Sequence, residues 1–370
     1  MVEIKRLIKS TRIRIIFIVQ VVALVACFVV FANNQSSDMI YSDSHASFNK
    51  PVYEYGNFSY LDRLSSIDFK LISDHYYKKY GIPEQYLSVM EKKLITPLTR
   101  IERVIVKPGA VVYVDGGLVR QFKDLILPRI RGKIVLLTGD GDDSMPSLHL
   151  NVSETIELAS NRKILHWYMS NCNGTHIYPS KMECMPVGVS QWHGHRENLQ
   201  YAYENGTGLI HGLQTRPRLW RNRPAKYIMS SFTISSNRAV RQPALDYFCG
   251  DNSPNRRIRR ASICSFNKDM PQYQLYDEYL SKVYFVVSPH GGGLDCYRTW
   301  ETLYMGAIPI VMSSSLDYLY KDLPVLIIRS WEEVTEELLE STFNEFQRRA
   351  FDYRKLYMAY WRQKIFGHLV

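Results

Sequence analysis

Arg298 and Glu301, three residues apart behind a run of glycines, form the pair in this chain most suited to holding a phosphate ester and a hydroxyl together. An arginine fork donates parallel N–H bonds to a diphosphate, and a glutamate accepts hydrogen bonds from ribose hydroxyls. Asp295 continues the three-residue spacing, so a helix would place all three carboxylate and guanidinium groups on one face. Alone, an Arg-x-x-Glu pair is a helix ion pair contributing about 0.2–0.5 kcal/mol. Its surroundings set this one apart. The apolar run 283–287 predicts a parallel strand covered on both faces. After it come Ser288-Pro-His290 and three glycines, Gly291, Gly292 and Gly293, which are expected to adopt positive φ and bring the backbone close to a ligand. A helix opening near Leu294 would aim its free N–H groups at the same anion. Tyr297, Trp300, Leu303 and Tyr304 then pack on the sheet, and Gly306-Ala-Ile-Pro-Ile-Val311 supplies the next buried strand.

A second set of polar groups follows an earlier apolar strand, in Thr138-Gly-Asp140-Gly-Asp142-Asp143. Three readings stand for it. A carboxylate of Asp140, Asp142 or Asp143 could be the general base that takes a proton from an attacking hydroxyl, with His149 behind it. Asp140 and Asp142 could hold Mn²⁺ or Mg²⁺ as an Asp-x-Asp pair. The segment could equally be a polar turn. His193 and His195 lie two apart without nearby Cys or carboxylate partners, which points to a loop rather than a metal centre. Arg238 and Arg241 open a helix after the strand at 226–232 and face either a donor anion or solvent.

The stretch from Ser288 to Glu301 followed by Met305-Gly-Ala-Ile-Pro-Ile-Val311 resembles the nucleotide-sugar motif of exostosin-like glycosyltransferases, family 47 and its relatives. The resemblance is specific over 273–331, weaker over 102–240 and absent elsewhere. It implies an α/β chain of GT-B type, with two Rossmann-like domains facing a cleft and the donor held mainly by the second. By that resemblance Ser288, His290 and the glycines lie near the donor phosphates, Arg298 and Glu301 contact diphosphate and ribose, and Arg238 and Arg241 add positive charge. His290 stands where many relatives carry an arginine. A UDP-sugar is the foremost implied donor, a glycan or glycoprotein the acceptor. The reaction is expected to be inverting, with no essential metal, because helix dipole and arginine neutralise the leaving diphosphate.

The N-terminus adds a compartment. Residues 15–32 are apolar apart from Gln20, long enough to cross a bilayer. Five basic residues precede them against Glu3, giving that tail +4 and leaving +6 of the chain's net +10 for the rest. The positive-inside rule then predicts a single-pass type II protein of the Golgi or ER, its body lumenal. A cleaved signal peptide is the rival. Sequons at Asn34, Asn57, Asn151, Asn173 and Asn205 fit a secretory route. Cys172 with Cys184 and Cys249 with Cys264 are plausible local disulfides, leaving Cys296 single among the lumenal cysteines. The basic runs at 216–223 and 256–260 suit anionic glycans and nucleotides rather than nucleic acid in a lumen, and residues 252–260 could equally be a solvated basic loop.

The elements that must position these groups alternate between strand and helix. Strands are predicted at 111–115, 134–138, 164–168 and 185–189, with a helix at 118–127, then at 226–232, 283–287, 307–311 and 323–328. Helices are expected at 273–282, 332–339 (with a capping box from Ser330) and 343–366. The expected organisation is a tail to residue 14, anchor 15–32, stem 33–65, acceptor-side domain 66–220, nucleotide-sugar domain 221–340, and a C-terminal helix 341–370 that returns to the first domain. Two other functions compete: a catalytically silent glycan-binding relative, and a lumenal sulfotransferase, for which no phosphate-binding loop is visible.

Overall fold

A computed structural model describes residues 64–77, 94–95, 109–139, 141–190, 219–264, 275–280 and 282–369. The predicted membrane span, the stem to residue 63, Asp140, and His193 with His195 lie outside the described residues. Among the described residues no helix is long and apolar enough to cross a membrane.

The chain is α/β with two parallel sheets. The first holds six strands: β1 (His75–Tyr77), β2 (Leu94–Ile95), β3 (Ala110–Asp115), β4 (Ile134–Gly139), β5 (Ile164–Met169) and β6 (Met182–Cys184). Their order is β2-β1-β3-β4-β5-β6. The second holds β7 (Ile228–Ser230), β8 (Ser262–Cys264), β9 (Phe285–Val287), β10 (Ile308–Met312) and β11 (Leu326–Ile328), ordered β11-β10-β9-β7-β8. Every residue of β3 and β4 is buried, as expected of continuous apolar strands covered on both faces. Each buried Val, Leu or Ile there contributes roughly 1.5–3 kcal/mol relative to exposure.

Order reversals locate the crevices. From β7 the chain moves outward to β8, then returns to the other side of β7 for β9. Ligands of open parallel sheets bind at such a switch, outside the carboxyl ends of the strands. The loops after β7 and β9 are therefore the place to look, and the Ser288–Gly293 run is one of them.

Helices pack on both sheets: α1 (Ser66–Ile72), α2 (Val152–Ser160), α3 (Arg238–Cys249), α4 (Arg256–Ala261), α5 (Tyr297–Tyr304), α6 (Glu336–Arg348) and α7 (Met358–Phe366). Asn151 caps α2, accepting from Glu154 N while the Glu154 carboxylate accepts from Asn151 N, both at 2.9 Å. Gly306, at φ 72°, closes α5 and turns the chain into β10.

Several elements differ from the sequence expectation. The stretch 119–129 is helical but widens into a π turn at Phe122–Ile126. The strand expected at 185–189 forms instead at Met182–Cys184, because Pro186 cannot donate to a ladder. Helix α6 starts at Glu336, capped by Thr335, whereas Ser330 leads only a single tight turn at Trp331–Glu333. The terminal helix breaks after Arg348: Phe351 is buried beside Phe346, and Asp352 grips Arg354 by two bonds of 2.8 Å before α7 begins.

Although it follows the second sheet, α7 lies against elements of the first. Trp361 meets Phe69 edge-on at 6.0 Å, Lys364 pairs with Glu183, and Leu64 N donates to Leu356 O. His368 stacks on His166 at 4.2 Å, its Nε2 2.9 Å from the Tyr168 hydroxyl. Burial pulls His166 down to about 3, with His368, Lys364 and Lys181 adding to the shift. Both expected disulfides are present, Cys172–Cys184 and Cys249–Cys264, and Cys296 is the one free cysteine among the described residues.

Candidate functional site

The loop after β9 is held from two sides. Ser288 Oγ lies 2.8 Å from Thr299 Oγ1 on α5. Across the switch point, Asn237 caps α3 with its side-chain oxygen and donates Nδ2 to Gly291 O at 2.8 Å. Arg241, one turn along α3, donates Nε to His290 O at 3.1 Å, Nη1 to Thr233 O at 2.7 Å, and a further bond to Ser236. Burial pulls its guanidinium below the usual range; Cys296 and Asp142 pull it back up, while nearby Arg298 adds to the lowering. Arg241 thus fixes the shape of the loop and adds its charge beneath it. Arg238 is exposed at the first residue of α3 and makes none of these contacts.

None of Gly291, Gly292 and Gly293 has positive φ, contrary to expectation. What requires glycine is close approach by other parts of the protein. A β-carbon on Gly292 would lie 2.3 Å from Asp142 Oδ2, and one on Gly293 2.7 Å from Asn171 Nδ2. On Gly291 it would meet Arg241 Nη2 at 3.0 Å. The carboxyl edge of the first sheet therefore rests directly on this loop.

Helix α5 opens at Tyr297, three residues later than predicted, so Asp295 precedes the helix and does not share a face with Arg298. Its carboxylate is buried and fully engaged, accepting from Val187 N at 2.8 Å, Cys296 N at 2.9 Å, Trp300 Nε1 at 2.9 Å and the Tyr320 hydroxyl at 3.1 Å. Burial nonetheless lifts it to about 6, against the lowering effect of those bonds. Asp295 is a rivet between the two sheets, with no oxygen left for a ligand.

Arg298 and Glu301 do meet. Glu301 is buried, accepts from the Tyr276 hydroxyl at 3.0 Å, and holds Oε2 3.7 Å from Arg298 Nε. Arg298 Nε and Nη1 are both buried without a hydrogen-bond acceptor among the described residues. Leaving such donors unsatisfied costs about 1–3 kcal/mol or more each, so an acceptor is called for. A recess bordered by Ser288, His290, Thr299 and Tyr320, which neither Arg298 nor Glu301 lines, is water-sized. His290 is half-buried, with Nδ1 3.1 Å from Gly291 O.

On the facing edge, Asp142 is exposed and lies over Gly292, while Asp143 Oδ2 is 2.8 Å from His149 Nε2. Among the described residues no three His, Cys, Asp or Glu side chains gather as a metal site; Asp140 is not among them. Sequence reasoning missed Asn171. It sits just past β5 at φ 48°, a left-handed conformation in which Asn is enriched. Its Oδ1 accepts from Asp295 N at 2.8 Å and its Nδ2 donates to Gly141 O at 2.9 Å. An Asn at the carboxyl end of a buried strand was the available signal. Tyr276, the partner of Glu301, carried none.

No model of a known protein family matches this chain. No curated protein matches it either.

Proposed function

We propose that this protein is a glycosyltransferase of GT-B type that moves a sugar from a nucleotide-diphosphate sugar to a glycan or glycoprotein, anchored in a Golgi or ER membrane by residues 15–32 with its body lumenal. The observation that carries the reading is the pair of buried Arg298 N–H groups without an acceptor among the described residues, beside a buried Glu301 and the loop at the β7/β9 switch. Oxygens of a diphosphate satisfy the two donors by separate charge-assisted bonds, and the Glu301 carboxylate is at hand for a ribose hydroxyl. Charge developing on the leaving diphosphate is met by Arg298 and, through the loop it shapes, by Arg241. Two parallel sheets whose carboxyl edges meet at Gly292 and Gly293 suit a donor on one edge and an acceptor on the other. No metal is needed in this scheme; Mn²⁺ or Mg²⁺ remains an additive to test.

The water-sized recess, with Asp142 lying on Gly292, favours a second reading, a silent glycan-binding relative. A nucleotide sugar enters only if the Asp142 side chain swings off Gly292. Calorimetry of the detergent-solubilised chain with UDP and other nucleoside diphosphates, and diphosphate release from a nucleotide-sugar panel with and without Mn²⁺, separate the two. The transferase binds a nucleotide and releases diphosphate. Arg298→Ala then weakens nucleotide binding roughly 10–100-fold, the worth of a charge-assisted bond, while Glu301→Gln keeps the Tyr276 contact and weakens it less. Binding without release supports the silent relative. No nucleotide binding, or unchanged binding by Arg298→Ala, refutes the donor site.

A further inference from the structure

We propose that His149, oriented by Asp143, is the general base that deprotonates the acceptor, an inference that rests on the transferase reading. The loop after β4 brings both residues to the carboxyl edge of the first sheet, and it is stitched in place. Met145 N donates to Asn171 O at 3.1 Å, and Asn173 N to Met145 O at 2.7 Å. His149 itself ends a tight turn, its N donating to Pro146 O at 3.0 Å. Arg120, on the helical stretch 119–129, donates Nη2 to His149 O at 2.6 Å and pairs with Glu154, the residue that completes the α2 cap. The ring lies over the end of β3, where a β-carbon on Gly116 would be 3.8 Å from Nε2. The backbone of His149 is thus gripped at its N–H by its own turn and at its carbonyl by Arg120, with its side chain about one-fifth exposed at 19 %.

The bond to Asp143 sets the chemistry. At 2.8 Å, Asp143 Oδ2 accepts the Nε2 proton, which leaves the lone pair on Nδ1. A neutral imidazole in that tautomer is a base, and Asp143 stabilises the imidazolium that forms. Asp143 is a positioning residue, acting through the ring. The charged groups facing His149 are Asp143 on its own loop, the Arg120 guanidinium from 119–129, and, through Arg120, Glu154 of α2.

Asp142 is the poorer base on physical grounds. It lies on Gly292 and within the electrostatic reach of Arg241, the place a diphosphate would take. A carboxylate there repels the donor. His149 carries no negative charge, and Asp143 is one residue from Asp142, about 3.8 Å along the chain. The dyad therefore flanks the donor loop without sitting on it. In the step, the acceptor O–H bond breaks and its proton passes to Nδ1. The acceptor oxygen forms a new bond to the anomeric carbon, and the carbon–oxygen bond to the diphosphate breaks with its electron pair leaving on the diphosphate. Solvent later takes the proton from Nδ1.

The test uses the full-length chain in detergent and the nucleotide sugar of the panel that it turns over, with water or an added oligosaccharide as acceptor. His149→Ala should lower kcat by roughly 10²–10⁴-fold, the usual share of a general base, with nucleotide Kd unchanged. The acidic limb of the pH–rate profile should disappear, and added imidazole should restore part of the rate, which rules out misfolding as the cause. Asp143→Asn should lower kcat less and move the acidic limb to lower pH. A His149→Ala rate close to wild type, or a lost rate with no imidazole rescue and an acidic limb unmoved by Asp143→Asn, overturns the dyad and leaves the transferase standing. A chain that binds nucleotide but turns over no sugar overturns the dyad as well; one that binds no nucleotide removes the transferase reading with it.

Discussion

Adding a single methyl group at Gly293 distinguishes a loop built for a phosphate from one built for the protein's own opposite edge. The new β-carbon would lie 2.7 Å from Asn171 Nδ2 and 2.8 Å from Asn171 Oδ1, distances that real β-carbons essentially never show. Asn171 is short and held at both ends, so it must move. Moving it breaks the bond to the buried Asp295 N–H, a loss of about 1–3 kcal/mol, and the bond to Gly141 O, about 1 kcal/mol more. Gly293→Ala should therefore cost about 2–4 kcal/mol, a large part of the 5–15 kcal/mol that holds a typical domain. Asn171→Gly should cost a similar amount, since glycine tolerates φ 48° but makes neither bond. In the double variant the methyl has nothing to displace. Urea unfolding of all four proteins should then show a coupling energy of about 2–4 kcal/mol, with the double variant hardly worse than Asn171→Gly alone. Additive costs, or a Gly293→Ala protein of normal stability that has lost only nucleotide binding, would refute the contact and return the glycine to the phosphate.

Two further outcomes concern the buried titrating groups. His166 is held neutral, so below its ordinary value near 6.5 the unfolded chain binds a proton that the folded chain refuses. Its contribution is complete above that pH and is lost as the pH falls toward about 3, so the urea midpoint should fall more steeply between pH 6.5 and 4.5 in the wild type than in His166→Phe; parallel slopes would exclude His166. Asp295, lifted to about 6, has the opposite sign: its contribution is present below the ordinary carboxylate value and lost as the pH rises through about 6. Asp295→Asn removes that dependence, yet its amide must point N–H groups at one of the donors Val187 N, Trp300 Nε1 or Tyr320 OH. It should cost about 2–4 kcal/mol, and a variant as stable as wild type at pH 7 would mean the rivet is not where stability resides.

The strands β3, β4, β5, β9 and β10 were legible because continuous apolar runs with β-branched residues have few other uses. Cysteine spacing likewise suggested both disulfides. Helix ends were harder. Ser330 and Thr335 compete as caps within five residues, and only burial of Leu339 and Phe343 decides for Thr335. At 349–357 the residue pattern still looks helical, and the break depends on where Phe351 and Tyr353 find their pockets. The site divides in the same way. Arg298 and Glu301 were readable from local spacing. Asp295 was misplaced because one residue outside a helix end changes the direction in which a side chain points. The glycines announced close approach but not which atoms approach, because Asp142 and Asn171 arrive from two loops more than a hundred residues away in the chain. Asn171 itself became visible only through its partners in the second sheet.

The return of α7 to the first sheet sets a timetable for making the protein. His368 and Tyr168, which touch in the finished structure, are 200 residues apart in the chain. A ribosome adding about 5–20 residues per second needs roughly 10–40 s to bridge that gap. Throughout it, β4 and β5 have emerged while the segment that covers His166 and Phe69 is still unmade. The first half of the molecule must wait, part-covered, for the last twenty residues described, and in that interval it exposes the apolar surface that chaperones bind. A variant that weakens α7 would prolong this wait and reduce yield during synthesis, even where the finished protein, once assembled, is nearly as stable as before.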